Sequence, residues 1–500
     1  MPASIMKDDD DGGPRFAGGA CHTFEDKGFE FDTGHHYSPY LNPANPLHVL
    51  VNIAVGGKMD FIRMLKDDVY CDEVTIGYAP GETKRSYYLT AGDVKTWIED
   101  LTRQFPQEEE TIKNLSKDVK MGWLKFAPFI LIRMIPQWLA RFILRTGLID
   151  LITNYRKLNR RTTKEVFKDI TKRSPDMSMV LQLLSFDVVP ANQWPYPFWT
   201  FVAAIMSGGN LYPKGGSSEY SYRMCREIVE RGGKVLVNAL VDKIIVDPAN
   251  NRACGVTVSK GSRNVDVYAP IIISSAGAKV TIDSLLPSSA LNHKENFDWV
   301  QENRKHINNS AHTYFHVFMG LRGPAEELGL YAHSCRFFAT NESLGEIFER
   351  YEKLTFEEAM EAEIPMITFL SCPSVVDPTY EVRHPGKGIV ELLVCASSQW
   401  FTPWKGEKLM KRGDEYEARK AAFGHKVVQT LYKLFPQLED RVEYLNFGTD
   451  LTCHDYFNRR GGGFTKLVHS PDRMSLEASL CLGPETPIKG EKIVSNRILE

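Results

Sequence analysis

Two adjacent histidines, His35 and His36, follow Asp32 and Gly34 at the end of a Phe29-Glu30-Phe31 alternation, and these residue types can move protons. Histidine titrates near neutrality, so it can serve as a general acid or base. The alternation reads as a short strand whose polar, glycine-hinged tip presents the pair. Neighbouring strand residues point to opposite faces, so at most one histidine can act at a given site. The same geometry argues against His35, His36 and Asp32 converging on an ion, and no metal is expected. Upstream, Gly18-Gly19 lets the backbone come close to a ligand. By composition alone, the stretch also reads as an ordinary surface hairpin.

Several elements must hold that tip in place. Tyr212-Pro213-Lys214-Gly215-Gly216-Ser217-Ser218-Glu219 is a turn feeding a helix, with Ser217 or Ser218 able to cap it. The run from Lys234 to Val246 reads as two strands of a buried sheet, and Ile271-Ile272-Ile273 as a fully buried strand ending at Ser274-Ser275-Ala276-Gly277. Asp93 precedes a helix with Val94, Trp97, Ile98 and Leu101 on one face. Residues 70–89 alternate as strands around Pro80-Gly81, the helix from Glu415 to Phe435 reads as a solvated face, and Tyr444 to Thr452 reads as a strand.

A chain of 500 residues is long enough for two or three compact units. The formal charge of −3 gives no pull toward nucleic acid. Nine scattered cysteines without a Cys-x-x-Cys pair support neither a zinc ribbon nor a disulfide scaffold, and they fit a reducing, cytosolic-type environment. The head, with its run Asp8 to Asp11, reads as disordered, and no window reaches the roughly 18 apolar residues of a membrane span. From Lys120 to Arg173 there are thirteen basic residues against three acidic ones, and the first thirty hold no acid at all. With Trp123, Trp138, Pro128 and Pro136 among apolar clusters, that block suits broken helices lying on an anionic membrane surface; the alternative is a buried helix pair with snorkelling arginines. Phe198 to Met206 is an apolar, aromatic run for a buried helix; Trp199 and Phe201 are plain core or line a pocket for a polyene.

Gly18-Gly19-x-Cys21-His22-Thr23-Phe24, Phe29 to Tyr37, Phe105-Pro106-Gln107-Glu108-Glu109, Tyr212 to Glu219, Arg252-Ala253-Cys254-Gly255-Val256, Ile273 to Gly277 and Leu434 to Glu439 occur in the order found in one family. The chain resembles, from Gly18 to about Gly490, the retinol saturase branch of the carotenoid isomerase and phytoene desaturase family of FAD oxidoreductases. The resemblance implies a mixed α/β, two-domain flavoprotein fold of the FAD/NAD(P)-binding kind, with a second, mixed-sheet substrate domain. It implies FAD as cofactor, with NAD(P)H as a possible reductant, and a hydrophobic retinoid or carotenoid as substrate. It also implies peripheral attachment to the endoplasmic reticulum membrane. His36 takes the place of the family's His-Tyr histidine as candidate catalytic residue, and Gly18, Gly19, Gly34, Val241, Ala276 and Gly277 are the candidate cofactor-binding positions.

Two family features are not found: the opening strand, Gly-x-Gly-x-x-Gly turn and helix that grip the diphosphate, and the closing Gly-Asp segment. The dinucleotide-binding sheet is therefore expected to be incomplete, the chain is read as truncated at both flavin-binding ends, and a flavin-free lipid- or polyene-binding remnant is the alternative reading. The expected organisation is a disordered head (1–17), a partial flavin domain (18–119), membrane-associating helices (120–175), flavin domain continued (176–290), substrate domain (291–440) and a return to the flavin domain (441–500).

Overall fold

The period-two pattern at Phe29-Glu30-Phe31 produces what it predicts: β1 (Thr23–Asp26) and β2 (Phe29–Asp32) form an antiparallel hairpin that buries Phe29 and Phe31. The computed structural model describes residues 17–39, 46–183, 194–260, 263–307, 312–456, 469–483 and 486–493. Nearly all of the expected acidic head and the last seven residues of the tail lie outside them. The further strands are β3 (Ser38–Pro39), β4 (Phe61–Arg63), β5 (Tyr70–Ile76), β6 (Arg85–Thr90), β7 (Asn210–Pro213), β8 (Leu240–Asp247), β9 (Arg252–Lys260), β10 (Arg263–Tyr268), β11 (Ile272–Ser274), β12 (His312–Arg322), β13 (Ser334–Phe338), β14 (Met366–Ser371), β15 (Lys387–Ser397), β16 (Val442–Gly448) and β17 (Glu491–Ile493).

The largest sheet has seven strands in the order β16-β12-β15-β14-β13-β5-β6. All its pairs are antiparallel except β13 with β5. Strands β12 and β15 pair over eleven residues, which places Phe318 opposite Glu391. On one face, Phe315 of β12 and Phe447 of β16 pack on Phe423 and Gly424 of the helix Gly413–Leu434. That helix buries Tyr416, Phe423, Val427 and Leu431, so it is a layer of the core and not the solvated face its charges suggest. On the other face, Phe318 and Gly320 receive Phe24, Phe29 and Phe31 of the β1–β2 hairpin.

The domain boundaries read from the sequence cut across this sheet. Strands β5 and β6, placed with the flavin elements, form its edge through β13, and β16, read as a return toward the flavin domain, forms its other edge on β12. A smaller region holds the antiparallel order β10-β9-β8 and the parallel pair β11-β17, around a core of Ile244, Ala253, Ile272, Val280 and Ile488. Here two expectations fail. Residues 235–237 are exposed and outside any strand, so only β8 forms from the run expected to give two. Ile271 and Ile273 stand 60% and 61% exposed beside buried Ile272, because β11 is covered on one face only.

The helices up to this region are α1 (Pro46–Ala54), α2 (Val94–Gln104), α3 (Glu109–Lys120), α4 (Gly122–Leu131), α5 (Gln137–Thr146), α6 (Leu148–Ile152), α7 (Tyr155–Asn159), α8 (Thr163–Arg173), α9 (Pro175–Leu183), α10 (Tyr196–Met206) and α11 (Ser218–Glu230). Asp93 caps α2 by accepting from the Thr96 amide at 2.8 Å. Helix α10 is buried nearly all round, and α4 crosses it at Gly122, where a Cβ would run into the Thr200 carbonyl. Gly122→Ala should therefore lower the unfolding free energy by about 1–3 kcal/mol in urea titrations, the usual cost of overpacking. An unchanged midpoint would mean that the two helices do not cross so closely.

Candidate functional site

The buried end of β2 gathers the polar groups. Asp32, 1% exposed, accepts from the Tyr212 hydroxyl at 2.7 Å through Oδ2 and from the Ser217 amide at 3.1 Å through Oδ1. Its own amide donates to Glu391 Oε1 at 2.5 Å, and Glu391 Oε2 lies 2.8 Å from His36 Nδ1. Tyr212 comes from β7 and Ser217 precedes α11, while β15 contributes Glu391 on the face that the hairpin covers. Ser217 does not cap α11 through its side chain as expected. Its hydroxyl donates to the His35 carbonyl and its amide is taken by Asp32.

Burial and the Glu391 charge push the Asp32 carboxyl up to about 7, although His36, Ser217 and Tyr212 favour its ionised form. Burial first, and then the Glu30 charge, raises Glu391 well above the usual carboxylate range against the pull of the Asp32 amide. Burial and the charge of His36 depress His316 to about 3 and His35 to about 4. The result is a dry cluster of two carboxyls and an imidazole able to hold a proton. The three groups lie close enough to bracket an ion, and each of the four carboxylate oxygens already takes part in one hydrogen bond, that of Glu391 Oε2 being to His36 itself.

The two histidines part company. His36 turns toward Glu391 and the Phe369 ring, and His35 toward Ser38 and Tyr220. Gly18 and Gly19, before β1, and Gly34, after β2, lie on two segments that meet at the open end of the hairpin, where the His35 amide donates to the Ala20 carbonyl at 2.9 Å and a Cβ on Gly34 would touch Ala20. Gly18 lies against Ser221 of α11 with φ +138°, and a Cβ on Gly19 would meet nothing within 4 Å. Val241, Ala276 and Gly277 belong to the smaller β8–β11 region, where Gly277 turns at φ +89° and Ala276 is exposed. Trp199 and Phe201 lie in the helical core. Trp199 Nε1 donates to the Leu181 carbonyl and its ring packs on Phe167 and Tyr196; Phe201 packs on Trp123, Phe126 and Phe198. Sequence reasoning missed Glu391 and the roles of Tyr212 and Ser217. The available signal was a lone acid inside the apolar run Gly388 to Ala396.

Toward a flavin dinucleotide, Gly19 leaves open space where a Cβ would stand, and Ala276 is exposed. The amides leading into α11 are not free for phosphate, because Asp32 takes that of Ser217 and Asp377 that of Gly215.

A GMC oxidoreductase family model matches residues 209–312. The chain is 31% identical over 479 residues to the all-trans-retinol 13,14-reductase of Danio rerio, across 95% of this chain and 76% of that one. It is also 31% identical over 442 residues to an inactive all-trans-retinol 13,14-reductase of Danio rerio, across 88% and 70%. The crystal structure of an oxidoreductase from Methanosarcina mazei shares the fold at a TM-score of 0.54 and 15% identity, covering 96% of this chain and 87% of that one. With 31% identity across 95% of this chain and a shared fold, the chain belongs to the all-trans-retinol 13,14-reductase family of oxidoreductases.

Proposed function

We propose that this chain is an FAD-dependent oxidoreductase acting on conjugated double bonds of a hydrophobic polyene, in the manner of retinol saturation. The observation that carries this reading is the similarity to a retinol reductase over 95% of the chain. FAD, when bound, supplies the redox chemistry on the double bond, with NAD(P)H as the candidate reductant. Gly18, Gly19, Gly34, Val241, Ala276 and Gly277 are the backbone positions that would approach it. His36 holds or gives the proton that a saturated bond requires. Glu391 fixes its ring through Nδ1, and burial shields that hydrogen bond from water. Trp199 and Phe201 contribute by packing the helical wall.

The membrane part of the proposal rests on α4 to α6. Met134, Trp138, Leu151 and Ile152 are 74%, 73%, 83% and 79% exposed, with exposed Arg141 and Arg145 among them. Arg133, by contrast, turns inward to Ser479. No helix among the described residues is long and apolar enough to cross a membrane. An apolar surface with tryptophan, and with arginines that have no ion pair among the described residues, suits peripheral attachment to an anionic leaflet, and we assign that leaflet to the endoplasmic reticulum.

Three measurements test these statements. Purified protein incubated with FAD should retain flavin absorbance through gel filtration and, with a reductant, consume all-trans-retinol on chromatographic assay. His36→Ala should lower turnover by about 10²- to 10⁴-fold with flavin content unchanged. A colourless protein that takes up no FAD would favour a flavin-free polyene-binding role, the reading to which the inactive Danio rerio relative lends weight.

In flotation assays, wild-type protein should rise with anionic liposomes, and replacing Arg141 and Arg145 by Gln should weaken this. Equal flotation of the variant would remove the electrostatic argument.

The raised Asp32 carboxyl sets a pH dependence. The folded protein holds this proton more tightly than the unfolded chain, so its stabilising contribution is full below about pH 4 and is lost as pH rises through about 7. Depressed His35 and His316 act with the opposite sign between about pH 3 and 6.5, so the informative quantity is a difference. Subtracting the stability curve of Asp32→Asn from that of the wild type should leave a value that falls between pH 4 and 7, and a flat difference would contradict it.

A further inference from the structure

A second buried cluster lies in the same sheet, apart from Asp32, His36 and Glu391. Strands β5 and β13 run parallel with Cys335 opposite Glu73, so these two side chains share a face. His333, two residues before Cys335, joins them on that face. Asp72, Ser334 and Arg336 fall on the other, where Arg336 pairs with Asp72 at 2.7 Å. The chain thus sorts its polar residues by strand alternation, leaving a carboxylate, an imidazole and a thiol together.

Their ligand atoms all lie within 4.8 Å of one another. His333 Nε2 is 3.2 Å from Glu73 Oε2, the Thr75 hydroxyl donates to Glu73 Oε1 at 3.0 Å, and Lys66 Nζ approaches Glu73 at 3.8 Å. His333 is 1% exposed with its ring stacked on Tyr331, and its Nδ1 has no hydrogen-bond partner among the described residues. Cys335 is fully buried, and its thiol donates to the His333 carbonyl at 3.9 Å, a long and weak hydrogen bond. The imidazole and the thiol are therefore under-satisfied in a dry interior.

We propose that Glu73, His333 and Cys335 bind a divalent cation of the zinc class, which ties the β5–β6 hairpin to the rest of the sheet. Carboxylate, imidazole and thiolate are the donor types that zinc takes at about 2.0–2.3 Å, and side-chain rotations suffice to draw in three atoms already so near. Binding replaces the thiol proton by the metal: the S–H bond breaks, the S–Zn bond forms and one proton leaves to solvent. Lys66, part-exposed and already bonded to the Tyr88 hydroxyl at 3.2 Å, can turn away from Glu73 as the ion enters. The three side chains leave the fourth tetrahedral position to water.

The test uses the full chain, refolded or expressed with cobalt(II) as the spectroscopic probe. Wild-type protein should bind about one equivalent and show a thiolate-to-cobalt charge-transfer band, which zinc abolishes by competition. Cys335→Ala should lose the band and Glu73→Gln should weaken cobalt binding, while Cys395→Ala, in the same sheet but outside the cluster, should keep both. Zinc should raise the melting temperature of wild type and not of Cys335→Ala. Wild-type protein that shows no thiolate band, or a band that survives Cys335→Ala, overturns the proposal. Neither readout depends on flavin or turnover, so failure here is separate from failure of the enzymatic reading.

Discussion

One buried carboxylate constrains much of the structure. Asp32 lies where water cannot reach it, and a lone charge there would cost several kcal/mol. It is met from two sides, by a hydroxyl on β7 and an amide at the start of α11, while its own amide is taken by β15. Segments around residues 32, 212–217 and 391 must therefore come together for any one of them to be satisfied. That requirement brings His36 to Glu391 and seats the β1–β2 hairpin on the large sheet.

The same arrangement decides what the start of α11 can do. A helix N-terminus attracts an anion, and here the protein supplies its own. Gly215 and Gly216, at φ +99° and +94°, turn the chain so that the amides of Gly215 and Ser217 face Asp377 and Asp32. The glycine-rich turn thus serves the carboxylate network and not a phosphate.

What was legible in the sequence followed local physics. The Phe29-Glu30-Phe31 hairpin, the Asp93 cap, the β5–β6 hairpin and the buried α10 all depend on neighbours within a few residues, and each formed where expected. His36 was singled out by its match to the family's His-Tyr pair; it and His35 do diverge, although both lie beyond the end of β2 and not on a strand. Glu391 was not found, because a strand buried on both faces shows no period, and an acid within it gives no sign of which distant segment will satisfy it. The membership of β5, β6 and β16 in the large sheet was hidden for the same reason: pairing partners hundreds of residues away leave no local trace. Conversely, Ile271 and Ile273 looked like core because composition alone cannot tell which faces of a strand are covered.

The exposed apolar surfaces differ in electrostatics, and that difference separates their meanings. Tyr222, Ile228 and Val229 of α11 are about half exposed, yet the arginines of that helix pair with its own acids: Arg223 with Glu219, Arg226 with Glu230 and Arg231 with Glu227. Those charges cancel within a turn, so the face exerts little net pull on an anionic surface. Around α5 no acid lies between residues 120 and 149, and the charges of Arg141 and Arg145 reach outward beside Trp138 and Phe142. Apolar area alone would make both faces candidates for a bilayer. With no ion pair to Arg141 or Arg145 among the described residues, and Lys125 of α4 paired with Asp118, α5 is the face that the proposed membrane contact favours, because an anionic headgroup layer rewards a basic rim and is indifferent to a neutral one.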